Sequence, residues 1–153
     1  MSGEYTKVQF RRRKALAVEP KVCSGCRTCE IICSLKHEGK VDLERARIFI
    51  KANSFSGSFI PQVCRQCSDA PCLYACPDGA IEIQENDGTV VIKEDTCTGC
   101  GMCLQACPFK VIRFDSEAKK AFKCDFCHGM PECVKWCPVN ALGVADFRGE
   151  VPR

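Results

Sequence analysis

Residues 97–108, CTGCGMCLQACP, place four cysteines at intervals of two, two and three residues and follow the last with a proline. That pattern suits a cubic [4Fe-4S] cluster. Three closely spaced thiolates on a loop wrap three irons of one cube, and the fourth, carried into a short helix, reaches the cube of a second run. Three more runs of four follow the same plan with small changes. The first is Cys23, Cys26, Cys29 and Cys33, with no proline after it. The second is Cys64, Cys67, Cys72 and Cys76, then Pro77, and the fourth is Cys124, Cys127, Cys133 and Cys137, then Pro138. With Cys97, Cys100, Cys103 and Cys107 these account for all 16 cysteines of the chain. Four clusters are expected, with every cysteine a ligand.

Other uses of cysteine fit less well. A zinc ribbon brings together two separated C-x2-C pairs and often replaces a thiol with histidine, whereas each run here packs its thiols together and three end in Cys-Pro. A disulfide scaffold belongs to an oxidising compartment. The RRRK stretch, Arg11 to Lys14, starts like a twin-arginine signal, but the apolar run after it lasts only from Ala15 to Val18. A secretory signal needs about 7–15 apolar residues. No run approaches the ~18–20 apolar residues of a membrane span, so a cytoplasmic location with reduced thiols is expected.

The 46% apolar content includes the cysteines. Without them it falls to about 35%, thin for a packed domain, so the bound groups are expected to fill the interior. The formal charge of +3 assumes neutral thiols and no ions. Four cubes at about two negative charges each would bring the loaded chain to about −5. Nucleic acid is therefore not an expected partner.

The segments between the runs must position them. AIEIQENDGTVVIKED alternates apolar and polar residues around Asn86-Asp87-Gly88 and predicts a hairpin. VIRFDSEAKKAFKC predicts a second strand pair, and RARIFIKANS with GSFIPQVC a third. KALAVEP and NALGVADF read as outer strands. Short helices are expected at RTCEIIC, APCLYAC, GMCLQAC and PECVKWC. The helix after Cys33, unstopped by proline, should run on to a glycine cap near Gly39. Gly25 and Gly99 suit loops that turn tightly around a cluster. The fold class is α+β, with short hairpins and short helices around four clusters.

Exchange of the fourth cysteine makes the runs work in pairs. One hairpin joins the second and third runs, as in a two-cluster ferredoxin, which would leave the first to pair with the fourth. Pairing first with second and third with fourth is also possible, and spacing does not choose between them. From Lys14 to Phe147 the four runs resemble the four-cluster ferredoxin-like subunits that accompany molybdenum- and tungsten-pterin enzymes of the dimethyl sulfoxide reductase type. CSGCRTCEIICSLKHEG, PQVCRQCSDAPCLYACPDGAI and CDFCHGMPECVKWCPVNAL are most similar to the small polyferredoxin subunits of tungsten enzymes in the aldehyde:ferredoxin oxidoreductase superfamily.

The resemblance implies nested pairing. Cys23, Cys26, Cys29 and Cys137 would hold cluster 1, and Cys64, Cys67, Cys72 and Cys107 cluster 2. Cys97, Cys100, Cys103 and Cys76 would hold cluster 3, and Cys124, Cys127, Cys133 and Cys33 cluster 4. An inner unit, 64–107, would sit inside an outer one made of 14–63 and 108–147, with a basic arm at 1–13 and a tail at 148–153.

No dinucleotide fingerprint, phosphate-binding loop or pterin-binding region is present. The chain is expected to be non-catalytic and to carry electrons for a large tungsten- or molybdenum-pterin subunit, exchanging them with a flavin or NAD subunit or a soluble ferredoxin. A free polyferredoxin, a molybdenum-enzyme subunit as in a formate dehydrogenase, and a self-stacking conducting filament are the alternatives. Among the remaining residues, His37 is expected to cap carbonyls or sit in a subunit interface, a proton-coupled or cluster-tuning role being the alternative, and His128 to lie near a cluster or in solvent. Trp136, Phe109, Phe122 and Phe126 are expected to pack against clusters, and Phe55 and Phe59 to share an interface loop or enter the core.

Overall fold

A computed structural model describes residues 13–147. Most of the basic arm and the tail at 148–153 lie outside the described residues. Among the described residues, eight strands form four separate two-stranded antiparallel pairs. β1 (Arg13–Val18) pairs with β8 (Leu142–Phe147), so the two ends of the described chain close on each other. β2 (Phe49–Asn53) pairs with β3 (Ser58–Gln62), β4 (Ile81–Ile83) with β5 (Val90–Ile92), and β6 (Arg113–Asp115) with β7 (Lys120–Phe122). These are the predicted hairpins and outer strands.

The four helices also fall where expected: α1 (Thr28–Glu38), α2 (Pro71–Ala75), α3 (Met102–Ala106) and α4 (Glu132–Lys135). Their lengths follow from proline. Cys76 and Cys107 precede Pro77 and Pro108 and have ψ of 110° and 114°, outside the helical range, because proline's ring clashes with a helical residue before it. α1 meets no such stop. It continues past Cys33 until Gly39, whose positive φ of 70° lets its N–H bond back to the Leu35 carbonyl at 3.0 Å. The extra turn has a second tie in buried Ser34, whose hydroxyl donates to the Ile31 carbonyl and accepts the Asp42 N–H.

α1 packs on α4, and α2 on α3. The apolar core between them is narrow: Ala46, Ile48, Val90, Ala121 and Phe126 are almost wholly buried. Eight of the cysteines are buried alongside them. The thin apolar content of the sequence thus appears as a core whose centre is thiol. Among the described residues, no helix is long and apolar enough to cross a membrane.

Candidate iron–sulfur centres

Each Cys-x-x-Cys loop uses the same backbone device. The residue before its second cysteine has positive φ: 71° at Gly25, 49° at Gln66, 78° at Gly99 and 61° at Phe126. The turn folds the loop back so that N–H groups face sulfur. Gln66 N–H lies 3.5 Å from Cys64 Sγ, and Phe126 N–H 3.4 Å from Cys124 Sγ. Glycine stands where there is no room for a side chain. A Cβ at Gly25 would lie 2.6 Å from the Phe59 ring, and one at Gly99 2.2 Å from the Lys119 carbonyl oxygen.

Gln66 and Phe126 tolerate the unusual backbone because their side chains are used inside. Phe126 is 1% exposed. Gln66, equally buried, donates to the Cys124 carbonyl at 3.0 Å and accepts the Val90 N–H at 2.8 Å. A second device follows each Cys-Pro. Gly79, Lys110 and Asn140 all take positive φ, and the next residue's N–H points back at sulfur in two of the three cases: Ala80 to Cys76 and Ala141 to Cys137, both at 3.3 Å.

Two cavities gather thiols in fours. Cys23, Cys26, Cys29 and Cys137 line one cavity with Pro61, Pro138 and Leu142. Cys64, Cys67, Cys72 and Cys107 line another with Phe109, Val111 and Lys123. Burial raises the Cys103 thiol, and so do the neighbouring charges of Cys97, Cys100 and, more weakly, Cys76. Cys133 is pushed up to about 12 by burial and by Cys33 and Cys127 beside it. Cys124, buried, is held well above the ordinary thiol value by that burial and then by Cys64. The two cavities each collect three thiols of one run and the last thiol of another. The groups also adjoin one another, because Cys29 acts on Cys133 and Cys64 on Cys124.

These donors suit an iron–sulfur cube. Sixteen free thiols form no disulfide, eight of them converge in fours in two cavities, and amide N–H groups aim at several sulfurs where a cluster's charge would need hydrogen bonds. Burial lifts Cys29 to about 12, and Cys33 and Cys72 to about 11, so binding iron must displace their protons. Cys26 goes the other way: exposed, it accepts the Thr28 hydroxyl at 3.4 Å and is lowered by it. Thiolate is the nucleophile, so a low value means faster alkylation. In chain stripped of metal, iodoacetamide at about pH 8 should label Cys26 first, while Cys29 and Cys133 resist until the pH nears 12. Equal labelling of all the cysteines, read by peptide mass spectrometry, would show that this arrangement is lost without metal.

Some of the remaining side chains lie where expected and others depart. His37 does not cap carbonyls at the end of α1. Its Nε2 lies 3.8 Å from Cys127 Sγ and 3.6 Å from Asp125 Oδ1, and burial, then Arg47, lowers its pKa. His128 is exposed. Trp136, expected to be buried against a cluster, is 53% exposed, its indole N–H donating to Glu132. Phe109 lines the Cys64 cavity under the Arg65 guanidinium, 4.8 Å from its ring centre. Phe55 is fully exposed, while Phe59 turns inward against Gly25.

Arg47 and Lys123 were not foreseen. Arg47 N–H donates to Cys33 Sγ at 3.2 Å, and its guanidinium reaches Asp125 at 3.1 Å. Lys123 is buried with Nζ 3.5 Å from Cys64 Sγ. Its position directly before a run was the available signal.

A four-stranded-pair scaffold with short helices and converging thiols defines a ferredoxin-like iron–sulfur protein. Residues 55–147 match the family described as the 4Fe-4S dicluster domain, and the chain belongs to that family. It is 42% identical over 129 residues to the polyferredoxin-like subunit of the aliphatic sulfonate oxidoreductase of Pyrococcus furiosus, covering 84% of this chain and 74% of that one. It is 32% identical to the thiosulfate reductase electron transfer subunit PhsB of Salmonella typhi, covering 81% and 71%. Among solved structures, the active site complex BamBC of benzoyl coenzyme A reductase contains a similar chain. The TM-score is 0.55 at 25% identity, over 90% of this chain and 81% of that one.

Proposed function

We propose that this chain is a non-catalytic electron-transfer subunit holding four [4Fe-4S] clusters, paired as two nested ferredoxin-like units. Cys23, Cys26, Cys29 and Cys137 hold the first, and Cys64, Cys67, Cys72 and Cys107 the second. Cys97, Cys100, Cys103 and Cys76 hold the third, and Cys124, Cys127, Cys133 and Cys33 the fourth. A cube bound at each set supplies reversible one-electron storage. The protein's own part is to hold the cubes in a row, keep water from them and set their potentials through amide N–H groups and buried charge.

The observation that carries this reading is the adjacency of the thiol sets. Cys23, Cys26, Cys29 and Cys137 share one cavity and Cys64, Cys67, Cys72 and Cys107 another, Cys29 acts on the Cys133 thiol and Cys64 on the Cys124 thiol, and these neighbours support the order first, fourth, second, third. A row with two ends is a relay between two partners. One partner is a tungsten-pterin subunit of the aldehyde oxidoreductase type, and the other a flavin subunit or soluble ferredoxin. The similarity to a polyferredoxin-like oxidoreductase subunit and to a benzoyl coenzyme A reductase complex supports this choice. The working site is the cytoplasm, where thiols stay reduced.

The test is elemental analysis of the native complex, isolated anaerobically through a tag on this chain. Tungsten, with about sixteen irons assignable to this subunit, is the expected result. Molybdenum in place of tungsten would move the partner to the reductase and formate dehydrogenase group. Iron alone, with no copurifying large subunit, would overturn the complex and leave a free carrier or a stacked filament.

A further inference from the structure

Lys123 stands directly before the fourth run, where the other runs have Val22, Val63 and Thr96. Val22 and Thr96 are exposed and Val63 is buried, and Lys123, though charged, is only 3% exposed. Burying an ammonium is costly unless something compensates its charge. The partners seen are not carboxylates. Nζ donates to the Cys124 carbonyl at 3.1 Å, to the Val90 carbonyl, and to Cys64 Sγ at 3.5 Å. It also lines the cavity of Cys64, Cys67, Cys72 and Cys107.

The location is a junction. Val90 lies on β5 in the inner part of the chain, and Cys124 opens the last run. Gln66 spans the same two residues, bonding the Cys124 carbonyl and the Val90 N–H. Lys123 and Gln66 thus form one buried polar bridge where the Cys64 and Cys124 sets meet. Carbonyl oxygens satisfy the ammonium's hydrogens but leave its charge unmatched. Two anionic cubes on either side would match it.

We propose that Lys123 is a positioning residue for electron transfer, a shared counter-charge that raises the reduction potentials of the clusters held by the Cys64 and Cys124 sets. The inference rests on the four-cluster reading above. Reduction adds a negative charge to a cube, and a fixed positive charge nearby in a poorly polarisable interior stabilises the reduced form. The two middle members of the row are then easier to reduce than its two ends, so an electron entering from either end moves inward readily.

The test is anaerobic redox titration followed by electron paramagnetic resonance on wild type, Lys123→Met, Lys123→Arg and the exposed control Lys51→Gln, with iron and sulfide counted on every sample. Signals are assigned through Cys107→Ala and Cys33→Ala. In Lys123→Met the reduced-to-oxidised ratio of the two middle clusters at fixed ambient potential should fall at least tenfold, about 59 mV for a one-electron couple. The end clusters should stay put, and Lys123→Arg and Lys51→Gln should resemble wild type. Full iron with unmoved potentials, or an equal shift of all four, overturns the assignment of Lys123 alone. A wild-type count far below about sixteen irons overturns the four-cluster reading and this proposal with it. If Lys123→Met does not load, wild-type protein grown with 15Nζ-lysine decides. A nitrogen hyperfine coupling on a reduced middle cluster supports the contact, and its absence overturns it.

Discussion

Cys33→Ala is expected to damage the cluster of the fourth run and leave that of the first run intact, although Cys33 lies in the first. Iron should fall by about one to four per chain, depending on whether the cube loses a single iron or collapses. Cys33 occupies the second buried turn of α1, and α1 packs on α4, which carries Cys133. Burial, then the charge of Cys127, raises its thiol to about 11, against the pull of the Arg47 N–H. Cys29, one turn earlier, faces the cavity shared with Cys23, Cys26 and Cys137. Residues four apart on a helix lie on one face, one above the other, so a single helix can present successive thiols to neighbouring cubes. The check is spectroscopic. Cys33→Ala and Cys127→Ala should alter the same resonance, and Cys137→Ala and Cys26→Ala a different one. If Cys33→Ala instead matches Cys26→Ala, each run serves its own cluster and the nested pairing is wrong.

The second large effect belongs to Gly99→Ala. At φ of 78° any other residue carries a cost of ~1–2 kcal/mol, and Gly101, at 74° with open space around it, isolates that cost. Gly99 adds a collision. Its Cβ would sit 2.2 Å from the carbonyl oxygen of Lys119, and that oxygen belongs to the turn between β6 and β7. The turn cannot easily withdraw, since Lys120 beside it donates through Nζ to the Cys97 carbonyl. Overpacking of this kind typically costs ~1–3 kcal/mol more. Gly99→Ala should therefore lose visible absorbance in guanidinium roughly tenfold faster than Gly101→Ala, with the loss starting at the Cys97 set. Equal rates for the two variants would show that the turn does not cover the loop.

The hairpin turn on Gly99 also illustrates what the sequence made legible. Both halves were readable separately: a glycine in a cysteine loop, and a polar turn between two short alternating stretches. Their contact was not, because it depends on where β6 and β7 come to rest. His37 shows the same gap. Its place near the end of α1 suggested a cap, and only the packing of α1 against the last run brings its ring to Cys127 and Asp125. Trp136 errs in the opposite direction. Adjacency to Cys137 suggested burial, but α4 is a single turn, and the residue after it points to solvent.

By itself, then, the sequence determined the kind of chemistry and the small elements. Cysteine spacing is a local property, proline and glycine stop helices through their own backbone limits, and apolar alternation marks strands without reference to the rest of the chain. Tertiary structure decided which thiols share a cavity, and that a lysine lies buried beside one of those cavities. Those facts rest on contacts between residues distant in sequence, such as Lys123 with Val90 and Arg47 with Cys33. Such contacts leave no periodic trace, because each is made by one side chain meeting one backbone group that a different part of the chain has delivered.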